Sequence, residues 1–362
     1  MSRLADLIAQ LCPDGVEYKP LSECVVLPSI PRGLKRGQYE SSGTYPIVDQ
    51  GRGQVAGYSS DETKLVKDIP GIVFGDHTRE IKYVDHFFVP GADGVKWIRA
   101  VDDVDIRYLF HSLSSLAIPS RGYNRHWNVV REMSIPVPPL EVQREIVRIL
   151  DQFTTLEAEL EAELEARQAQ YEYYREQLLS YDSIVARCSD EVKYRSLGDL
   201  IRIRNGRDYK MLSSGTVPVY GSGGVMTHVS EAIGVGPTVL IPRKGSLDNI
   251  FFVEGPFWTV DTIFYTEIGS EIEPKYLYYN LKKMRLSQMN EAAGVPSMNQ
   301  RKLNRIQIPL PSIEEQRRIA DVLDRFDALV NDISSGLPAE IAARRAQYEY
   351  YRDRLLSFPE EK

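Results

Sequence analysis

The stretch AQYEYYREQLLSY at residues 169–181 returns as AQYEYYRDRLLSF at 346–358, with ten of thirteen letters unchanged. Duplication constrains a chain more than composition does, because whatever unit the first copy forms must be formed again by the second. The recurrence continues upstream. IPVPPLEVQREIVRILDQFTTL from Ile135 aligns with IPLPSIEEQRRIADVLDRFDAL from Ile308 at an offset of 173, and CPDGVEYKPL from Cys12 with CSDEVKYRSL from Cys188 at an offset of 176. Between these ends the match is weaker but keeps its order. TYPIVDQG from Thr44 answers TVPVYGSG from Thr216, YLFHSL from Tyr108 answers YLYYNL from Tyr276, and VREMSIP from Val130 answers LNRIQIP from Leu303. The 362 residues are one unit of roughly 170 residues used twice, with matched ends and divergent interiors.

The matched ends read as long helices. Ile146, Leu150, Phe153, Leu160, Leu164, Tyr171, Tyr174 and Leu178 keep the 4-3 spacing of a coiled-coil seam, interrupted at Glu157 and Arg167. Pro138 and Pro139 suit the helix start, where a missing N–H costs little. A helix over 140–180 would be about 60 Å long. In the second copy Ile319, Leu323, Phe326, Val330 and Ile333 set the same phase, and Tyr348, Tyr351 and Leu355 resume it four residues late. The slip falls in NDISSGLPAEI, where Gly336 and Pro338 should break the helix. Neither seam is wide enough to stand alone, so each helix is the natural partner of the other, as an antiparallel pair about a pseudo-twofold axis. A coiled coil made with another protein is the alternative. Leu150, Phe153, Tyr171, Tyr174, Leu323, Phe326, Tyr348 and Tyr351 are the candidates for the seam, with partner docking the alternative for the tyrosines.

The interiors are β-rich. GIVFGD, IKYVDHFFV and VKWIRAV in the first copy, and PTVLIP, NIFFVEG and TIFYTEI in the second, are short β-branched and aromatic runs punctuated by Gly, Pro, Asp and Asn. DIRYLFHSLSSL and PKYLYYNLKKM read as the helix of each domain. The fold class is α+β: two pseudo-symmetric β-rich domains, 1–139 and 182–312, joined by two long antiparallel coiled-coil helices, 140–181 and a region 313–358 broken near 334–338.

Charge divides the chain along the same lines. The net of −7 argues against a nucleic-acid binder taken whole, but the first helix, 141–180, carries 4 basic and 10 acidic residues, whereas 193–313 carries 15 and 10. The excess of acid over base lies in the frame. Within the domains, basic and amide side chains gather in polar loops: Arg32, Lys35 and Arg36; His77, Thr78, Arg79 and Lys82; Arg121, Tyr123, Asn124, Arg125 and His126; Arg204, Asn205, Arg207, Tyr209 and Lys210; Arg243, Lys244 and Ser246; Asn299, Gln300 and Arg301. These residue types bond phosphates and base edges. The bland reading of each loop is a solvated surface with incidental charge.

Other classes find little support. The opening MSRLADLIAQL holds Arg3 and Asp6 within its apolar stretch and no cleavage site follows, so it does not read as a signal peptide, and no run approaches the roughly 18 apolar residues that span a bilayer. A cytoplasmic protein is expected. Cys12, Cys24 and Cys188 form neither a disulfide framework nor a zinc motif. No phosphate-cradling loop, HExxH or nucleophile beside a partner is present, and no metal site is expected. Asp76, Glu80 and Lys82 in DHTREIK superficially resemble a nuclease carboxylate and lysine set, but the corresponding PRKGSLDN lacks it.

Two divergent domains, each followed by a helix opening in PLEVQREIVRILDQF or PSIEEQRRIADVLDRF and ending in AQYEYYR, resemble the specificity subunit of Type I restriction-modification systems, over Cys12 to Phe358. The tandem LEAELEAELEA from Leu156 resembles the spacer of one subgroup. The resemblance implies two target recognition domains, each reading one half of a split, asymmetric site in double-stranded DNA. It also implies a noncatalytic role, recruiting two methyltransferase subunits that use S-adenosylmethionine on adenine; two motor-endonuclease subunits can join them. No cofactor is expected on this chain. The tetrad would act as a ruler: one unit adds about 6 Å of helix and so sets the unread gap. The alternative from another class is a coiled-coil scaffold whose loops bind peptides or glycans.

Overall fold

The computed structural model describes residues 2–188, 192–289, 296–332 and 334–361. It divides into two compact units, Met1–Leu160 with Ile341–Lys362, and Glu161–Glu340. Each unit therefore holds the domain of one copy and the tail of the other.

The same sheet plan is built twice. In the first unit a four-stranded sheet runs in the order Val25–Val26, Val95–Ala100, Gly71–Gly75, Ile81–Val84, beside a three-stranded sheet in the order Gly57–Ser59, Tyr45–Val48, Val89–Pro90. In the second unit the corresponding orders are Ile201–Asn205, Ile263–Ile268, Thr238–Pro242, Phe251–Val253, and Gly224–Val229, Ser214–Gly221, Pro256–Thr259, with Gly234–Val235 added at the edge. Even the exceptional parallel pairing is shared, Ile47 opposite Val89 and Val219 opposite Trp258. Gly71–Gly75 and Thr238–Pro242 are buried at every position, as expected of apolar runs paired on both edges and covered on both faces. The helix Ile106–Ser115 starts where the Asp105 carboxylate accepts the N–H groups of Arg107 and Tyr108; its counterpart Pro274–Lys283 has proline in its first turn.

Each domain is rooted on a frame helix by a buried glutamine. Gln143, in the first turn of the helix Leu140–Leu178, donates Nε2 to the carbonyls of Asp103 (2.9 Å) and Pro138 (2.7 Å), and its Oε1 accepts from the Asp105 N–H at 2.8 Å. Gln316, in Ile313–Asn331, repeats this with the carbonyls of Glu271 and Pro311 and the N–H of Glu273. Both side chains are fully buried. Below Gln143, Val142, Ile146 and Leu150 enter the first domain's core; Ile319 and Leu323 enter the second. At about 1.5–3 kcal/mol per large aliphatic side chain, this burial anchors each helix to its domain.

The frame helices pair as expected, within each unit. In the first, Phe153 stacks on Tyr351 at 5.4 Å and Glu157 pairs with Arg345, so the partner numbers fall as the first helix rises. In the second, Tyr171 donates to Asp327 and Tyr174 stacks on Phe326 at 5.5 Å. Both pairs are antiparallel. The second copy's helices are Ile313–Asn331 and Leu337–Leu355, and Pro338 lies in the first turn of the latter rather than stopping the former. A Cβ on Gly336 would lie 2.6 Å from the Ala328 carbonyl. Ile333, counted in the seam, lies outside the described residues. The opening segment forms an amphipathic helix, Ser2–Leu11, packed through Leu4, Leu7, Ile8 and Leu11 on the first core. Among the described residues no helix is long and apolar enough to cross a membrane.

Replacing Gln143 by alanine strands two carbonyls and one N–H in a dry site. The expected destabilisation in urea unfolding is about 1–3 kcal/mol, whereas Gln152→Ala, exposed on the same helix, should stay within about 0.5 kcal/mol.

Candidate nucleic-acid interface

Strand topology brings the separate polar loops of each domain together. In the first unit the loop after Gly71–Gly75 is the hub. The Asp76 carbonyl accepts the His126 N–H, and its carboxylate accepts the Trp127 N–H at 2.8 Å. Gln50 holds three segments at once: its Oε1 accepts from the His77 N–H, its Nε2 donates to the Asp93 carbonyl, and its own carbonyl accepts from the Thr78 hydroxyl at 2.6 Å. Arg79, with a left-handed φ of 66°, donates to the Ile118 carbonyl. Tyr39 contacts the Asp49 carboxylate and so joins the loop 31–39 to the cluster.

The second unit repeats the convergence with other residues. The Arg243 carbonyl accepts the Met298 N–H, as that of Asp76 accepts the His126 N–H. The Gly245 N–H donates to Pro296, Asn249 donates to the Ser222 carbonyl, and Gln300 donates to the Asn205 side chain. By the repeat alignment and the strand ends, His77 gives way to Lys244, His126 to Asn299 and Gln50 to Ser222.

One backbone approach is shared by the two clusters. A Cβ on Gly33 would lie 2.0 Å from the Gly91 carbonyl oxygen, and one on Gly206 would lie 2.0 Å from that of Val260. Only glycine lets these loops run so close. The approach is sealed by the Leu34 N–H to Pro90 and the Arg207 N–H to Thr259.

Most of the candidates face solvent. Arg32, Lys35, Arg36, Thr78, Arg79, Arg121, Tyr123, Asn124 and Arg125 are exposed in the first unit, as are Arg204, Asn205, Arg207, Lys210, Lys244, Ser246, Asn299 and Arg301 in the second. His77, Tyr209, Arg243 and Gln300 are half-buried. Arg204 is held by both oxygens of Glu267, and Asn299 caps the short helix Gln300–Asn304.

Two candidates are buried and serve the loops instead. The Lys82 ammonium donates to the carbonyls of Asp49 (2.7 Å) and Gly53 (2.5 Å); burial pushes it below its ordinary range, with Asp49 and Glu80 opposing. His126 contacts the Asp76 carbonyl through Nδ1 and accepts the Arg121 N–H at Nε2. The apparent nuclease set is likewise dispersed, since Asp76 serves Trp127, Lys82 serves carbonyls, and Glu80 lies 3.9 Å from Arg52. Among the described residues no His, Cys, Asp and Glu group could hold a metal. Asp49 and Gln50 are not marked by charge, because their loop, VDQGRGQ, holds one acid and one base. Its signal was the TYPIVDQG repeat match, which marks position rather than chemistry.

Two tandem domains of one topology, each presenting a cluster of loops that differs in its exposed side chains, define a duplicated recognition subunit. A family model described as Type I restriction modification DNA specificity domain matches residues 13–166 and again 189–343, and the chain belongs to that family. It is 33% identical over 409 residues to the specificity subunit of the type I restriction enzyme EcoR124I/EcoR124II of Escherichia coli, covering 99% of this chain and 98% of the relative. A type I specificity subunit of Haemophilus influenzae is 27% identical over 388 residues, covering 95% and 96%. The fold matches the crystal structure of a Type I restriction-modification S subunit from M. genitalium with a TM-score of 0.64 at 18% identity, over 94% of this chain and 96% of that one. The chain recognises DNA sequence for a Type I restriction-modification complex, and the peptide or glycan scaffold finds no support.

Alanine at Gly33 or Gly206 should destabilise its own unit by more than about 1 kcal/mol. Gly37→Ala, with nothing within 4 Å of the added Cβ, should be nearly neutral by thermal unfolding.

Proposed function

We propose that the two domains read different halves of a split, asymmetric DNA site, and that the chain is noncatalytic and works in the cytoplasm. The observation that carries this reading is the pair of loop clusters, assembled by one topology but differing at corresponding exposed positions. Identical clusters would read identical half-sites; Lys244 in place of His77 cannot present the same donors and acceptors. Exposed arginines and lysines in each cluster supply phosphate contacts, and the amide and hydroxyl side chains beside them supply base-edge contacts. The spacer tetrads set the unread gap between the halves.

The partners we infer are two methyltransferase subunits, with S-adenosylmethionine bound on them, which two motor-endonuclease subunits can join. Repetition in the frame supports the stoichiometry. Tyr173 and Tyr350 are both 60% exposed, each edge-on to a neighbouring tyrosine that stacks across the helix pair. Intramolecular packing leaves their outer faces unused, and two equal rings on equivalent tails suit two copies of one partner. Tyr171, Tyr174 and Tyr351 are engaged within the frame, and the Tyr348 hydroxyl is engaged with His111 of the domain helix.

Single-molecule methylation sequencing of cells expressing this chain with the methyltransferase encoded beside it tests the reading. A split adenine motif that vanishes without the chain is expected; a continuous or absent motif would sink the proposal. Arg79→Glu should weaken binding at one half-site and Lys244→Glu at the other, by about 1–3 kcal/mol where a base edge is touched. Uniform loss across sequences would mark a phosphate contact instead. Tyr173→Ala or Tyr350→Ala should each leave a complex with one methyltransferase at limiting concentration in sedimentation velocity, and two persisting in both variants would remove these rings from the interface.

A further inference from the structure

Tyr123 stands apart in the first loop cluster. Its side chain is 81% exposed, yet it is held in place. The ring lies parallel to the His77 imidazole, with centroids 4.6 Å apart and 10° between planes. Nδ1 of His77 donates to the Tyr123 carbonyl at 3.2 Å, a role set by the carbonyl's having no proton to give. Around it, Gly122 turns with a φ of 65° and Asn124 donates to the Arg121 carbonyl at 2.6 Å.

The imidazole is backed in turn. The His77 N–H donates to Gln50, and the chain at Gly94 passes so near that a Cβ there would lie 2.7 Å from the imidazole Cδ2. One face of the tyrosine ring is thus braced through His77 onto the loop frame. Exposed Arg79, Arg121 and Arg125 belong to the same cluster. A free surface tyrosine would lose rotamer entropy on binding; this one is already ordered, so less is lost.

A flat ring fixed among cations matches the chemistry of a nucleobase face beside its phosphates, since aromatic side chains stack on bases with little regard to their hydrogen-bonding edges. At the position of His77 the second unit carries Lys244, which offers charge but no ring.

We propose that Tyr123, braced by His77, stacks against an opened base step of the first half-site, so that this half is selected partly by how readily the step unstacks. Pyrimidine–purine steps open most easily, which makes one such step the expected target. The proposal rests on the DNA-reading role above and deepens it by adding deformability to direct contact.

The test uses the chain assembled with its methyltransferase and duplexes carrying 2-aminopurine at each position of the first half-site in turn. Fluorescence should rise at one step with the wild type and with Tyr123→Phe. Tyr123→Ala and Tyr123→Leu should abolish the rise and weaken specific binding on the order of ten- to hundred-fold, with the second half-site still read. Because two truncations of an exposed ring are compared, a fold defect in one would show as disagreement between them and in thermal unfolding. Wild-type affinity in both truncations, a rise that persists in them, or a loss equal on unrelated duplex would overturn the proposal. Selective binding without any rise would overturn the stacking step alone, and absence of selective binding by the wild type would overturn the DNA reading with it.

Discussion

Everything in this molecule that must keep its place depends on how a domain grips its helix, and the grip is one buried amide used twice. Gln143 and Gln316 each satisfy two carbonyls and one N–H that would otherwise be stranded. An amide suits the task because it donates and accepts in one plane. Its three bonds fix the helix start relative to the turn before the domain helix. The buried hydroxyls of Tyr108 and Tyr276, donating to the carbonyls of Pro136 and Pro309, tie that domain helix to the strand leading into the frame. The same joint therefore recurs where the loops above it share little.

Around each joint a carboxylate gathers what remains. Asp151 takes Arg107 and His111; Asp324 takes Lys275 and Tyr279. Burial pushes His111 below its ordinary range, with the Asp151 contact opposing. As a neutral ring it donates through Nε2 to Asp151 and accepts the Tyr348 hydroxyl at Nδ1. The two units solve one packing problem with different donors, which shows how much chemistry can change once the geometry is set by the amide.

The frame was legible in the sequence because periodicity and self-similarity survive without knowledge of the fold. Repeated letters fixed the repeat, 4-3 spacing fixed the helices, and β-branched runs fixed the central strands. The seam was harder to divide. Ile146, Leu150 and Leu323 share its phase with Phe153 and Phe326, yet the aliphatics enter the domain cores while the aromatics stack across the helix pair. One stripe serves two neighbours, and spacing alone cannot say where it changes partner. The candidate interface was legible as loops but not side chain by side chain. Lys82 and His126 look like their exposed neighbours in composition, and only the convergence of four segments shows that they are buried. Asp49 and Gln50 carry no positive charge, so nothing in their composition marks them as the residues that hold the cluster together. Tyr173 and Tyr350 sit one letter from seam residues, a difference of about 100° around a helix.

The exchange of tails between units has a consequence for ancestry. A chain with one copy would have a terminal helix with nothing of its own to lie against, and a second identical molecule would supply what it lacked. Such a pair would carry identical loops and suit a palindrome. Joining two copies in one gene keeps the mutual support of the tails while freeing each set of loops to drift, so inequality between the two readers becomes heritable.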